Sequence, residues 1–273
     1  WEISRIVRNS SALTQEFEAG INGLEDRLFA VQDEEFNTAF RGLLEDYGSR
    51  GPNEWELRSQ TWETNPELAL TLIDRMRVAE DDQDPQIRHR EAQERSSSAL
   101  SELRSMVSGD ETSAGTLEIA VTSSSVFIPA RENAKTAIVK VVHEVRLAAL
   151  ELGRRLAEDG RLEQPQHIFM VQDKELEEAI AGNMTKVASD REEQYLELFK
   201  LTPPFWFNGD VPPEEMWQST KATYPERKVV QGMGGSAGIA VGKARVITDP
   251  SDPKGLEPGD ILVAPITDPA WTP

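Results

Sequence analysis

The chain has 273 residues, no cysteine and a formal net charge of −19 at pH 7. This length exceeds one typical domain, so we expect one large and one small unit, or two of medium size. The negative charge argues against a nucleic acid as partner, because binding to phosphates depends on clustered Lys and Arg. No stretch approaches the roughly 18 apolar residues of a membrane span. The lack of cysteine and of a visible signal peptide favours a cytoplasmic location.

Apolar residues at three- and four-residue steps predict helices over the first 47 residues, interrupted at the acidic run 33–35. Asn65-Pro66-Glu67 predicts the start of another helix, with Asn65 as its N-cap. A charged helix is expected from Pro85 to about Val107, where Gly109 follows.

The segment Ser113–Pro129 is ambiguous because its Ser and Thr content weakens the prediction of a helix. The strongest helix is expected from Arg131 to about Glu158, with Gly160 at its C-terminal cap. The residues expected to form its buried apolar stripe are Ala134, Ile138, Val141, Val145, Ala148, Leu152 and Leu156. Two shorter helices are predicted near 173–181 and 185–200, and the Pro-rich residues 201–215 are read as a linker or a wrapped arm.

Beside that apolar stripe, a helical period of about 100° per residue places a second set of side chains on one flank. The set is Glu132, Lys135, Val139, His143 and Arg146. Charges next to a core face often line a cleft between domains. The alternative is a solvated flank held by ion pairs three and four residues apart.

A glycine- and proline-containing loop, SRGPNEWE, follows the predicted helix that ends near Tyr47. It carries Arg50, Glu54 and Glu56. Such a loop can present an Arg to an anionic or hydroxyl-bearing substrate. The alternative is an ordinary surface turn.

After Lys228 the pattern changes to short β-rich runs at Val229-Val230, Ala244–Thr248 and Ile261–Ala264. Residues 232–237 fit the dinucleotide fingerprint, but the residues after them look like a strand rather than the required helix. Residues 238–243 are one residue short of a P-loop, so we interpret this region as a glycine-rich entry to a strand. The three histidines are far apart in sequence, and no metal site is predicted.

Motifs near the end of the chain resemble the opening of the swivelling phosphohistidine domain of the PEP-utilising enzymes. This family includes phosphoenolpyruvate synthase, pyruvate phosphate dikinase and rifampin phosphotransferase. The motifs are Ser236-Ala237-Gly238, Gly242–Val246, Leu256–Val263 and Thr267–Pro273. Upstream, YGSRGPNEWEL, ARENAKTAIV, LELGRRLAEDGRLEQPQHIFMV and REEQYLELFKLTPP are similar to the helical region that precedes that domain. The resemblance covers most of the chain.

The resemblance implies a mostly α protein. Residues 1–225 would form a helical domain that holds the acceptor. Residues 226–273 would form an incomplete swivelling β/β/α phosphohistidine domain. The chain starts at Trp1 without an initiator Met, and we interpret it as an internal part of a longer protein.

The implied activity is ATP-dependent transfer of a phosphoryl group, through a phosphohistidine, to the hydroxyl group of a small molecule. The phosphorylated His is expected beyond Pro273, so no catalytic residue is assigned within the chain. ATP and Mg are expected in the parent protein, on an ATP-grasp domain of the same or a partner chain. Neither is expected on this part, which should be inactive by itself.

The resemblance also implies an acceptor site. Its candidate residues are Arg50, Glu54, Glu56, Arg131, Glu132, Lys135 and His143. The family's loop commonly reads Gly-Glu-Ile-Asp after Arg-Gly-Pro, whereas this chain has Asn53-Glu54-Trp55-Glu56. Glu56 is placed to replace the Asp, and Trp55 changes how the loop packs. The alternative function is a non-catalytic helical binding module that keeps the family scaffold.

Overall fold

The protein is mostly helical in its computed structural model. The structure describes residues 1–79, 84–204, 206–219, 229, 232, 234–235, 238–247, 256–257 and 259–264. Its α-helices are α1 (Glu2–Asn9), α2 (Ser11–Glu18), α3 (Leu24–Val31), α4 (Glu34–Tyr47), α5 (Glu67–Val78), α6 (Pro85–Val107), α7 (Glu111–Glu158), α8 (Leu176–Ala181) and α9 (Thr185–Leu198). Its strands are β1 (Leu201–Thr202), β2 (Gln218–Ser219), β3 (Ala244–Val246) and β4 (Ile261–Val263).

The chain divides into two compact units. The first unit comprises residues 1–143 and the described residues from Ala244 onward, and the second comprises residues 144–243. Helix α7 begins in the first unit and ends in the second. The boundary expected between residues 225 and 226 stays a prediction.

The first unit has a core built from the apolar faces of α1 to α5. Its buried members are Val7, Leu13, Phe17, Leu24, Leu28, Phe36, Phe40, Ala69, Leu70 and Ile73. The helical periodicity of the first 47 residues is thus confirmed, but as four short helices. Ser10 caps α2 by accepting from the amide of Leu13, and Asp33 caps α4 by accepting from the amide of Phe36. Each of these caps starts a new helix, so the apolar pattern is divided among separate helices instead of following one continuous helix.

Helix α5 begins at Glu67, close to the predicted start, but Asn65 is not its cap. The Asn65 side chain instead donates to Gln60 Oε1 at 2.8 Å. Helix α6 runs from Pro85 to Val107 as predicted, with Asp84 as its N-cap. Every residue of α6 is at least partly exposed.

Helix α7 is longer than predicted because the ambiguous segment Ser113–Pro129 is helical and continuous with the rest. Pro129 lies inside this helix. Ser and Thr side chains are accommodated by bonding back to the preceding turn, as the Ser125 hydroxyl does to the Thr122 carbonyl at 2.8 Å.

The predicted rotation of α7 is wrong over its middle turns. Ile138, Val141 and Val145 were expected in the core, yet each is more than half exposed. Val139 and His143 on the charged flank are instead buried in the first unit. The reason is that a loop spanning residues 48–65 binds Lys135 and His143 and so turns that flank inward.

The second unit has its own core where the last turns of α7 meet the residues that follow. The buried members are Leu156, Leu162, Ile168, Ala179, Met184 and Ala188. Gly153 allows this packing, since a Cβ there would lie 2.1 Å from the Pro165 carbonyl oxygen. The helices predicted near 173–181 and 185–200 are confirmed as α8, after a short 3-10 turn, and α9.

Strands β1 and β2 pair antiparallel, and β3 and β4 pair parallel with Arg245 opposite Leu262. Strands were predicted at Ala244–Thr248 and Ile261–Ala264, and both are present in shortened form. Val229 lies outside any strand, while Val230, Thr248 and the end motif Thr267–Pro273 lie outside the described residues. None of the helices that the structure describes is both long and apolar enough to cross a membrane.

Candidate functional site

The loop between α4 and α5 folds back on itself in the first unit. Its two ends are joined by backbone hydrogen bonds, since the Trp62 amide donates to the Arg50 carbonyl at 2.8 Å and the Glu63 amide donates to the Gly48 carbonyl at 3.0 Å. A Cβ on Gly51 would lie 2.6 Å from the Gln60 carbonyl oxygen, so the close approach requires glycine. The glycines in this stretch of the sequence therefore allow the loop to fold back on itself.

Three of the predicted site residues meet at a buried carboxylate. Glu54 is 3% exposed, and its Oε2 lies 2.9 Å from Arg50 Nε. Its Oε1 lies 3.2 Å from Lys135 Nζ on α7. Asn53 precedes it with a φ of +52°, a left-handed conformation that Asn tolerates better than most residues. The loop and α7 are thus joined by one carboxylate and two cations, which together carry one positive charge.

Two turns further along α7, His143 forms a second connection to the same loop. Its ring is buried, and Nε2 lies 2.9 Å from Glu63 Oε2. In the tautomer with a proton on Nε2, the ring donates to this carboxylate, since an ionised carboxylate can only accept. Thr61 Oγ1 lies 3.5 Å from Nδ1, at the long limit of a hydrogen bond. These contacts direct the His143 ring into the protein. A direct contact of His143 with the acceptor molecule stays a prediction.

The remaining predicted residues are exposed and are not gathered with Glu54 in any described contact. Arg131 and Glu132 pair with each other on the surface of α7, one turn before Lys135. Glu56 accepts from the Arg58 amide at 3.2 Å within the loop. Arg131 lies four residues before Lys135, so the two side chains share one side of the helix.

The arrangement suits an anion better than a metal ion. In the described part of the chain, no three His, Cys, Asp or Glu side chains are grouped closely enough to hold a metal ion. Arg50 and Lys135 place two nitrogen donors on one carboxylate, and their side chains stay partly exposed. Positioned cations of this kind stabilise phosphoryl oxygens and other developing negative charge.

Sequence reasoning missed Thr61 and Glu63. The only local signal is Thr61-x-x-Thr64, where the Thr61 amide donates to Thr64 Oγ1 at 2.8 Å and forms a turn ahead of α5. No sequence pattern links Glu63 to His143, which lies 80 residues further along the chain.

Comparison with known proteins gives matches over most of the chain. Residues 1–132 match the family described as the rifampicin phosphotransferase fourth domain. The rifampicin phosphotransferase of Bacillus subtilis strain 168 is 27% identical over 244 residues, which cover 86% of this chain and 27% of that protein. The prodigiosin synthesizing transferase PigC of Serratia marcescens is 28% identical over 246 residues, which cover 86% of this chain and 26% of that protein.

These matches support the resemblance of the chain to the PEP-utilising enzymes. An uncharacterized protein of Mycobacterium tuberculosis is also similar, with 26% identity over 89% of this chain and 25% of that protein. The chain therefore spans about a quarter of the length of the curated relatives it matches.

The candidate site lies partly within the residues that match the family model and partly just after them. Arg50, Glu54 and Glu63 lie within residues 1–132, whereas Lys135 and His143 follow shortly after.

Proposed function

We propose that the chain is part of an ATP-dependent phosphotransferase that passes a phosphoryl group through a phosphohistidine to the hydroxyl group of a small molecule. The observation that carries this proposal is the buried Glu54 held between Arg50 and Lys135. Sequence reasoning assigned these residues to the acceptor site, and they meet although the loop and α7 are far apart in sequence.

In this proposal the two cations act on the transferred group. Phosphoryl transfer passes through a loose transition state whose charge is spread over three equatorial oxygens. Arg50 and Lys135 supply donors for those oxygens, and Glu54 fixes the position of both side chains. Arg131, exposed one turn before Lys135 and paired with Glu132, is a further cation on the same side of α7.

The transfer itself breaks an N–P bond on the phosphohistidine and forms an O–P bond on the acceptor, while the acceptor's hydroxyl proton replaces the phosphoryl group on the imidazole nitrogen. A covalent phosphohistidine divides one difficult transfer into two easier steps. That His would receive its phosphoryl group from ATP, with Mg²⁺, at an ATP-grasp domain in the same or a partner chain. The His itself would follow the strand motif of residues 256–263, so this chain by itself should transfer nothing.

The strand motifs support the assignment of the last residues to the swivelling phosphohistidine domain. Arg245 Nε on β3 donates to Asp260 Oδ2 at 2.7 Å, just before β4. This contact lowers the pKa of the Asp260 carboxyl. The two motifs are thus held together by a charged pair as well as by the parallel backbone ladder.

The test is intact-protein mass spectrometry of the full-length protein after incubation with ATP and Mg²⁺. We expect one added phosphoryl group that is lost in acid, as a phosphohistidine would be. Absence of that group would favour the alternative, a non-catalytic helical binding module. The 273-residue chain alone is the control and should stay unmodified.

A further inference from the structure

We propose that Glu63 is a positioning residue, which fixes the loop of residues 48–63 on α7 by its bond to His143. The effect of this bond on phosphoryl transfer rests on the proposed function. Its effect on the loop rests on the geometry alone.

Glu63 lies where the two ends of the loop are joined, so a contact made by its side chain affects both ends. Its amide donates to the Gly48 carbonyl, and the preceding Trp62 amide donates to the Arg50 carbonyl. Residues 61–63 therefore run beside residues 48–50. A contact that holds Glu63 also holds Gly48 and, through the neighbouring Trp62, the candidate Arg50.

The loop is attached to α7 at two separated places. Glu54 binds Lys135, and Glu63 binds His143, eight residues later on the same helix. At 1.5 Å per residue these places are about 12 Å apart along the axis. One attachment would let the loop pivot about Lys135, whereas two attachments fix its direction along the helix.

The two partners of the second attachment differ in burial, and this makes the proposal testable. His143 is 3% exposed, whereas the Glu63 side chain is 49% exposed. Shortening Glu63 removes its contact with His143 Nε2 and leaves the longer Thr61 contact and the core of the first unit in place. Replacing His143 would disturb buried packing and confuse the two effects.

Hydrogen–deuterium exchange of the 273-residue chain tests the geometric part. In Glu63→Ala we expect the amides of residues 49–62 to exchange about tenfold faster, the ratio for loss of one charge-assisted hydrogen bond. The amides of α1 to α4 should keep their rates. Glu63→Gln retains an acceptor for the His143 Nε2 proton and should restore slow exchange in the loop.

Glu144→Ala is the matched control, since it removes an exposed carboxylate next to His143 on α7. It should leave the loop unchanged. The proposal is overturned if the loop in Glu63→Ala exchanges at the wild-type rate. It is equally overturned if α1 to α4 accelerate to the same extent, because Glu63 would then act on stability in general.

A second measurement follows phosphoryl transfer in the full-length protein, with rifampicin as the first of a panel of hydroxyl compounds. Phosphorylation of the protein by ATP should be the same in Glu63→Ala and in wild type. Discharge to the acceptor should slow about tenfold in Glu63→Ala and recover in Glu63→Gln. If wild-type protein takes no phosphoryl group, the proposed function fails while the exchange data still decide the role of Glu63.

Discussion

Glu54 is the residue through which the loop and α7 are joined. A buried carboxylate is costly unless it is paired, and here both of its oxygens face a cation. The Arg50 and Lys135 side chains are less buried than Glu54 and keep part of their hydration. The site is therefore built from a fixed anion and two cations that stay accessible.

Substitution of Glu54 by Gln should remove the charge that holds these two cations together. We expect the free energy of unfolding to fall by about 1–3 kcal/mol, because Arg50 and Lys135 then repel each other across a neutral group. Urea unfolding of the chain measures the change. Glu132→Gln, at an exposed position on α7, should shift it by no more than about 0.5 kcal/mol. Equal effects of the two variants would argue against a structural role for Glu54.

Gly51 is the other residue on which the loop depends. A Cβ there would lie 2.6 Å from the Gln60 carbonyl oxygen and 2.9 Å from Thr61 Cα, both of which are backbone atoms. We expect Gly51→Ala to destabilise the chain by about 1–3 kcal/mol in urea unfolding, since the loop must open to accept the methyl group.

Gly42 provides the matched comparison for Gly51. It lies inside α4, and an added Cβ meets nothing within 4 Å. Gly42→Ala should stabilise the chain by about 0.5–1 kcal/mol through helix propensity. If both alanine variants change stability in the same direction, the close approach at Gly51 does not exist in solution.

Among the single elements, α7 has turns whose burial the hydrophobic pattern predicts correctly and turns for which it does not. Its last turns were predicted correctly, because Leu152 and Leu156 pack in the core of the second unit. Its middle turns were predicted wrongly. The apolar pattern places Ile138 and Val141 in the core, but both side chains are exposed, and Val139 is buried instead. Hydrophobic periodicity carries no information about a polar loop that comes from another part of the chain.

The second unit has an ion pair that makes its stability depend on pH. Arg191 of α9 donates to both oxygens of Glu175 at 2.6 and 2.8 Å. The Arg191 side chain and the Gln172 amide lower the pKa of Glu175 to about 2. Since the folded-state pKa is below the ordinary value of 4.5, the pair stabilises the fold above about pH 4.5. That contribution is lost as the pH falls toward 2.

Arg191→Gln should therefore be less stable than wild type near neutral pH, and the difference should shrink as the pH falls toward 2. Any remainder at low pH reflects the Arg191 Nη1 bond to the Met170 carbonyl at 2.9 Å. Urea unfolding at a series of pH values measures the difference. Lys186→Gln removes a positive charge from an exposed pair on the same helix and should give a difference that varies less with pH. A constant difference between Arg191→Gln and wild type at every pH would show that Arg191 acts through packing rather than charge.

For the whole molecule, the sequence predicts the helical character, the limits of α6 and the positions of β3 and β4. It also brings forward Arg50, Glu54 and Lys135, because charged residues in a glycine loop and on a helix flank stand out from their surroundings. It does not predict that Glu63 meets His143, since that contact depends on how a loop and a distant helix pack. Local patterns determine elements, while contacts between distant elements determine the site.

The action of Lys135 and Arg50 on the transferred group is tested by the discharge of phosphorylated full-length protein to a hydroxyl acceptor, in wild type and in Lys135→Met. A panel of hydroxyl compounds that begins with rifampicin would identify the acceptor on wild-type protein. If Lys135 and Arg50 stabilise the transferred group, discharge should slow by about 100-fold in Lys135→Met. Lys140→Met, the same change at an exposed position on α7, should discharge at the wild-type rate. Equal rates of discharge in wild type and Lys135→Met would contradict the account.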